Sequence, residues 1–202
     1  MNRFKAFPKL ILIIGTAMTI SACSKTVQWE EEVPLNTGET IWVTRTVEYK
    51  LQGAGGNPFD MAYRPDWTET LEFMWQGKKY SYRGEALIEV LAISPLTKEP
   101  VLVAWAANKQ WHYQNNYRCT VPFYVQFIPD SSGRVWTWPS AIESWLYGTS
   151  YNMLTHQPET FRDAMPKKYS HVDIARLQGW DLNKNPERYK INSMGKSETC
   201  FK

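Results

Sequence analysis

Residues 71–83 read Leu71-Glu72-Phe73-Met74-Trp75-Gln76-Gly77-Lys78-Lys79-Tyr80-Ser81-Tyr82-Arg83. Two stretches that alternate apolar with polar flank a short glycine-containing turn, which is the pattern of a β-hairpin. A two-residue type II′ turn at Gly77-Lys78 pairs Gln76 with Lys79. It sets Trp75 opposite Tyr80, Phe73 opposite Tyr82 and Glu72 opposite Arg83. Aromatic side chains then meet on one face and opposite charges on the other, as cross-strand pairs require. The hairpin predicts an antiparallel β protein.

The neighbouring sequence extends this pattern in both directions. Glu39–Tyr49 alternates, with Ile41, Val43, Val47 and Tyr49 on one face and Trp42, Thr44 and Thr46 on the other. Gln52–Asp60 is a loop by composition. Ala86–Ile93 and Val101–Ala106 are short apolar runs bounded by prolines and read as buried strands. Gln110–Tyr113 is a further candidate strand. Val121–Ile128 alternates again, Pro129–Gly133 is a turn, and Arg134–Trp138 returns as its partner. Beyond Trp138 the period lengthens. Ser140 and Glu143 form a capping-box pattern ahead of Ile142, Trp145 and Leu146, with Gly148 as the stop. Short helices are also predicted over Glu159–Met165 and Ser170–Gln178, the latter led by Ser170 and Asp173. The fold class is therefore β-rich, mainly antiparallel sheet, with a few short C-terminal helices. A small barrel, a sandwich and a partial propeller all fit this spacing.

The N-terminus reads as an address. Met1–Lys9 is basic, and Leu10–Ile14 opens an apolar stretch that runs to Ala22. Thirteen helical residues reach about 20 Å, short of the roughly 30 Å hydrocarbon core, so residues 1–22 are predicted to be a removed signal peptide. Ile20-Ser21-Ala22-Cys23 resembles a bacterial lipobox. That resemblance implies cleavage before Cys23, a diacylglycerol on its thiol and an acyl chain such as palmitate on its amino group. It also implies a membrane partner held through the N-terminal lipid. By further resemblance to enterobacterial lipoproteins, Ser24 in place of an aspartate implies outer-membrane attachment facing the periplasm in a Gram-negative cell. Residues 23–28 are then the lipidated cysteine and a short tether, and 29–202 a single globular domain.

Charge and cysteine usage agree with that compartment. The chain has 23 Lys+Arg and 20 Asp+Glu, and removing Arg3, Lys5 and Lys9 with the signal peptide leaves 20 against 20. A neutral body offers no electrostatic reason to bind nucleic acid. Cys119 and Cys200 remain as an even pair. A disulfide between them suits an oxidising periplasm, the alternative being two free thiols.

Motifs that carry chemistry fail on stated requirements. Gly53-Ala-Gly55-Gly56 lacks the lysine and helix of a phosphate cradle. Ser193-Met-Gly-Lys196 and Ser150-Tyr-Asn152 stand in the wrong order for a penicillin-binding signature. His112, His156 and His171 have no metal-ligand spacing. Glu30-Glu31-Glu32 is expected to be solvated charge. No catalytic residue, metal or cofactor is therefore expected. What stands out is the set of ten tryptophans, all after Cys23. Trp42, Trp67, Trp111, Trp136 and Trp138 lie on or beside predicted strands. They are the candidate aromatic binding surface, the alternative for each being a place in the core.

Trp29-Glu-Glu-Glu-Val-Pro-Leu35, Gly38 and the strand ending at Arg45 resemble the N-terminal signature of uncharacterised bacterial envelope lipoproteins. Pro122-Phe-Tyr-Val125, the Gly133-Arg134 turn, Trp136 and Asn152-Met-Leu154 resemble the later part of that family. The resemblance spans Trp29–Leu154 and implies one periplasmic envelope domain, with no activity attached. The expected function is a non-enzymatic, lipid-anchored envelope protein that binds another protein or supports an envelope assembly. A periplasmic immunity lipoprotein neutralising a toxin is one alternative. A peptidoglycan- or glycan-binding module using exposed aromatics is the other.

Overall fold

The computed structural model describes residues 24–53, 61–84, 88–105, 124–137, 142–154, 168–179 and 190–191. Among the described residues nine strands run in chain order: β1 Ser24–Pro34, β2 Thr40–Gly53, β3 Met61–Trp75, β4 Lys78–Gly84, β5 Ile88–Ile93, β6 Pro100–Trp105, β7 Tyr124–Pro129, β8 Trp136–Thr137 and β9 Lys168–Tyr169. A short α-helix among the described residues, α1, spans His171–Leu177. The first sheet has the order β4-β3-β2-β1-β9 and the second β5-β6-β7-β8. The neighbouring pairs are antiparallel except for the short parallel contact of β9 with β1. The two sheets share a core, as in a sandwich, and do not close into a barrel.

Alternation decides which residues enter that core. Val33, Val43, Leu71, Phe73, Tyr80 and Tyr82 of the first sheet pack against Ile88, Leu91, Leu102, Val125 and Phe127 of the second. The second sheet is covered on its other face too, where Val90, Val101, Val103 and Tyr124 meet Ile142, Leu146 and Ile191. Burial on both sides explains why β5 and β6 are continuous apolar runs without alternation. The long strands of the first sheet extend past the second, and there Trp29, Val47 and Tyr49 pack on Leu154, Tyr169 and Ile174 of α1.

The hairpin forms, but its turn lies one residue earlier than predicted and its register is shifted by two. Gln76 and Gly77 both have positive φ, 47° and 77°, so the turn is of the type I′ family and occupies 76–77. Trp75 therefore pairs with Lys78, Phe73 with Tyr80 and Leu71 with Tyr82. The side-chain faces survive because the partner strand moves by two residues, a full pleat. Phe73 stacks on Tyr80 with centroids 5.3 Å apart. Glu72 finds Lys79 at 2.8 Å and Arg83 reaches Glu48 at 3.7 Å, replacing the expected Glu72–Arg83 pair.

Three further expectations need correcting. Residues 24–28, read as a tether, are the first turns of pleat in β1 and pair with β2 from Ser24–Lys50 onward. Gln52 and Gly53, placed in a loop, still belong to β2. Ser140 of the expected capping box lies outside the described residues, and no α-helix follows Glu143 directly. Glu143 caps a single 3-10 turn, Ser144–Leu146, with no side-chain cap bond. Its carboxylate is occupied elsewhere, accepting from Gln126 Nε2 at 2.9 Å and Trp145 Nε1 at 2.8 Å. The Ser170–Asp173 capping box is present, with both reciprocal bonds made. The candidate strand 110–113, the candidate helix 159–165 and Cys23, Cys119 and Cys200 lie outside the described residues.

The exposed edge of β5 is closed by two asparagine amides. Asn36 Nδ2 donates to the Ile93 carbonyl at 2.9 Å and its Oδ1 accepts from Ile93 N at 2.7 Å. Asn152 does the same at Leu91, at 2.8 and 3.0 Å, and also donates to the Pro34 carbonyl at 2.8 Å. Each amide stands in for a neighbouring peptide, so the edge offers no free ladder to another strand. Asn152→Ala is expected to strand two buried backbone groups of Leu91 and the half-buried Pro34 carbonyl and cost about 2–4 kcal/mol, read as a lower urea midpoint.

Candidate functional site

Two features stand out once the strands are placed, one buried and one exposed. On the inner face of the first sheet, Arg45 lies in phase with Val43 and Val47 and is fully buried. It sits at the seam between the core shared with the second sheet and the cluster around α1. Its Nη1 donates to Glu31 Oε1 at 3.1 Å and to the Leu154 carbonyl at 2.7 Å, and its Nη2 donates to Glu69 Oε2 at 2.5 Å. The guanidinium carbon lies 5.5 Å from the Trp29 ring centroid, a cation–π distance.

Glu31 and Glu69 have second tasks. Glu31 accepts from Trp29 Nε1 at 2.6 Å and from Leu154 N at 3.1 Å, and Glu69 accepts from Ile88 N at 2.9 Å. The three charged groups thus tie β1, β2 and β3 to β5 and to the 152–154 segment. Burial alone would weaken Arg45's hold on its proton, but the two carboxylates outweigh it and raise its pKa. Burial raises Glu69 above the usual carboxylate range even with Arg45 beside it. Glu31 corrects the expectation of a solvated Glu30–Glu32 run. Glu30 does face outward, to Lys168 at 2.6 Å, and Glu32 accepts from His171 N at 3.0 Å.

A third carboxyl adjoins this group. Glu89 is the extra residue of a β-bulge between Ile88 and Val90. The bulge turns its carbonyl toward the backbone N–H groups of Asn152 and Met153, each at 3.2 Å. Its Oε2 is buried without a hydrogen-bond partner. Burial pushes this carboxyl up to about 7, with Arg45 pulling in the opposite direction. The hydroxyls of Tyr124 and Tyr151 bond to one another, and both tyrosines are held above the ordinary phenol range, first by burial. The arrangement stores charge in the interior. Among the described residues no three His, Cys, Asp or Glu side chains converge as metal ligands.

The exposed feature is the outer face of the same sheet. One row across it reads Glu32, Trp42, Met74, Lys79, fixed by the pairs Glu32–Trp42 and Met74–Lys79 and by the Val43–Phe73 pair beside them. Trp42 is 45% and Met74 53% exposed. They line a shallow depression of about 490 Å³ with Thr40, Thr44, Glu72 and Lys79. Lys168 Nζ lies 5.1 Å from the Trp42 centroid. A second depression, of about 340 Å³, shares Glu72 and Lys79 and continues toward Arg83 and Arg134. The ion pairs Lys168–Glu30 and Lys79–Glu72 flank the apolar pair, and Arg83–Glu48 lies further along the same face.

Of the five candidate tryptophans, Trp42 is on this surface. Trp136 is half-buried, bonded through Nε1 to the Ser81 carbonyl at 2.8 Å and packed edge-on to Tyr82. Trp67 belongs to β3, and Trp111 and Trp138 lie outside the described residues. Trp29 and Trp75 are buried. Sequence reasoning missed Glu31, Arg45, Glu69 and Glu89. For Glu31, Arg45 and Glu69 the signal was there, as charges in phase with Trp29, Val33, Val43, Val47, Leu71 and Phe73 on faces otherwise apolar; Glu89, at a bulge in a strand buried on both faces, carried no such signal. Comparisons with protein-family models, with curated proteins and with solved structures found no match to this chain.

Proposed function

We propose that this chain is a lipid-anchored, non-enzymatic protein of the bacterial cell envelope that docks another envelope protein on the outer face of its five-stranded sheet. The observation that carries the docking surface is the exposed Trp42–Met74 pair within a rim of ion pairs. Tryptophan, methionine and arginine at the centre and edge of a polar-rimmed patch are the composition of protein interfaces. Charges on this face are largely neutralised in place, which removes the driving force for a highly charged ligand. A glycan platform gains most from neighbouring open rings. Among the described tryptophan side chains, Trp42 alone is exposed, which favours a protein partner. A toxin to be neutralised is one such partner and would use the same face.

The anchor rests on the Ile20-Ser21-Ala22-Cys23 signal. The docking face is tested by Trp42→Ala in the membrane-bound protein. Trp42 points outward, so the melting temperature is expected to stay within a few degrees of the parent. Recovery of the specific envelope protein by affinity capture is expected to fall at least tenfold, about 1.4 kcal/mol or more. Unchanged recovery would remove this face from the function.

A further inference from the structure

The start of β1 constrains how an anchored chain can sit on its membrane. Ser24 already pairs with Lys50, and every following residue of β1 is paired with β2 up to Pro34–Thr40. The strand end therefore cannot swing away from the sheet. Cys23 is one peptide unit further, with its Cα about 3.8 Å from that of Ser24. A lipid on Cys23 thus brings the Ser24–Lys50 end of the sheet to the level of the lipid headgroups.

The sheet does not stop at that level. β2 and β3 continue past it through the pairs Leu51–Tyr63, Gln52–Ala62 and Gly53–Met61. Three more residues at about 3.3 Å each carry this two-stranded arm roughly 10 Å beyond Ser24. The headgroup layer on each side of the hydrocarbon core is about 5–8 Å thick. The arm and the lipid thus compete for the same space unless the arm enters it. The register level with Ser24 carries Lys50 paired with Arg64, and Lys25 follows Ser24 in β1. Basic residues at that height suit anionic phospholipid. The arm beyond carries Leu51, Met61 and Tyr63, residue types at home where headgroups meet acyl chains.

We infer that the β2–β3 arm, Lys50–Gly53 with Met61–Arg64, lies in the headgroup layer of the membrane that holds Cys23. Lipid and arm then form a two-point attachment to an anionic phospholipid surface. One lipidated residue would leave the domain free to rotate. Two points fix its orientation and hold the Trp42 face away from the bilayer, at the opposite end of β2. The inference rests on the lipid anchor proposed above.

The test uses the full, processed chain in vesicles of phosphatidylethanolamine and phosphatidylglycerol containing radiolabelled phospholipid. Benzoylphenylalanine replaces Gln52, or Lys50 as a second position, or Thr40 at the far end of β2. Intact mass reports acylation in each sample. With Cys23 acylated, crosslinking to phospholipid from positions 52 and 50 is expected to exceed that from position 40 at least tenfold. Equal, low crosslinking from all three positions in acylated protein overturns the arm while leaving the anchor standing. An unacylated Cys23 overturns the anchor, and the arm's placement with it.

Discussion

Arg45→Met is expected to destabilise the protein by about 3–5 kcal/mol at pH 7, the largest effect of any single substitution in the seam. The side chain is replaced by one of similar length, so packing changes little. What changes is charge. Glu31 and Glu69 lose their shared cation and remain in an interior that offers them only the backbone N–H groups of Leu154 and Ile88, together with Trp29 Nε1. The Leu154 carbonyl also loses its donor. The combined variant Glu31→Gln, Arg45→Met, Glu69→Gln is expected to recover at least half of the loss, because it removes the stranded charges and keeps acceptors for Leu154 N and Ile88 N. Urea unfolding at constant slope measures both. An Arg45→Met protein within about 1 kcal/mol of the parent would show that the seam is held by packing alone.

Glu89→Gln is expected to act in the opposite direction and to depend on pH. The folded carboxyl stands at about 7, against an ordinary value of 4.5. A folded-state pKa raised in this way favours the protonated form. Its contribution is complete below about pH 4.5 and is lost as pH rises toward and through 7. Two and a half pH units at about 1.36 kcal/mol each amount to roughly 3 kcal/mol at pH 8. Glutamine is neutral at every pH and fills the same volume. Glu89→Gln is therefore expected to be more stable than the parent by up to roughly 3 kcal/mol at pH 8 and equal to it near pH 4.5. Stability curves at pH 5, 6, 7 and 8 check the sign. A parent protein whose difference from Glu89→Gln stays flat across that range would place Glu89 in contact with water or with a cation.

These two residues also show how far the chain could be read before the strands were paired. Alternation reports which face a residue occupies but not which strand lies beside it. Hence β2, β4 and β7 were legible, as were the apolar runs of β5 and β6 and the Ser170–Asp173 cap of α1. The hairpin register was harder. Gln76-Gly77 and Gly77-Lys78 turns leave every aromatic on the same face, so burial could not choose between them. The deciding factor was backbone twist, which favours positive φ at both Gln76 and Gly77. Glu31, Arg45 and Glu69 come from three strands and meet diagonally. A charged residue on an apolar face marks an oddity in the sequence, but its partners are fixed only by registers between distant segments. Glu89 is harder still, since it is the extra residue of a bulge in β5 that only the pairing with β6 reveals. On the outer face, alternation placed Trp42 on the side opposite the buried Val43 and Val47, whereas Met74 and its ion-pair neighbours emerged only with the strand registers.

The claim on which the proposed function depends most is that Cys23 becomes the lipidated first residue of the mature protein. It is tested by intact-mass and N-terminal peptide mass spectrometry of the full chain extracted from membranes of a lipoprotein-processing bacterium. The expected result is a chain beginning at Cys23 that carries diacylglycerol on sulfur and an acyl group on nitrogen, with Cys23→Ser accumulating as unacylated precursor. A mature chain that begins at another residue, or an unmodified Cys23, would contradict it.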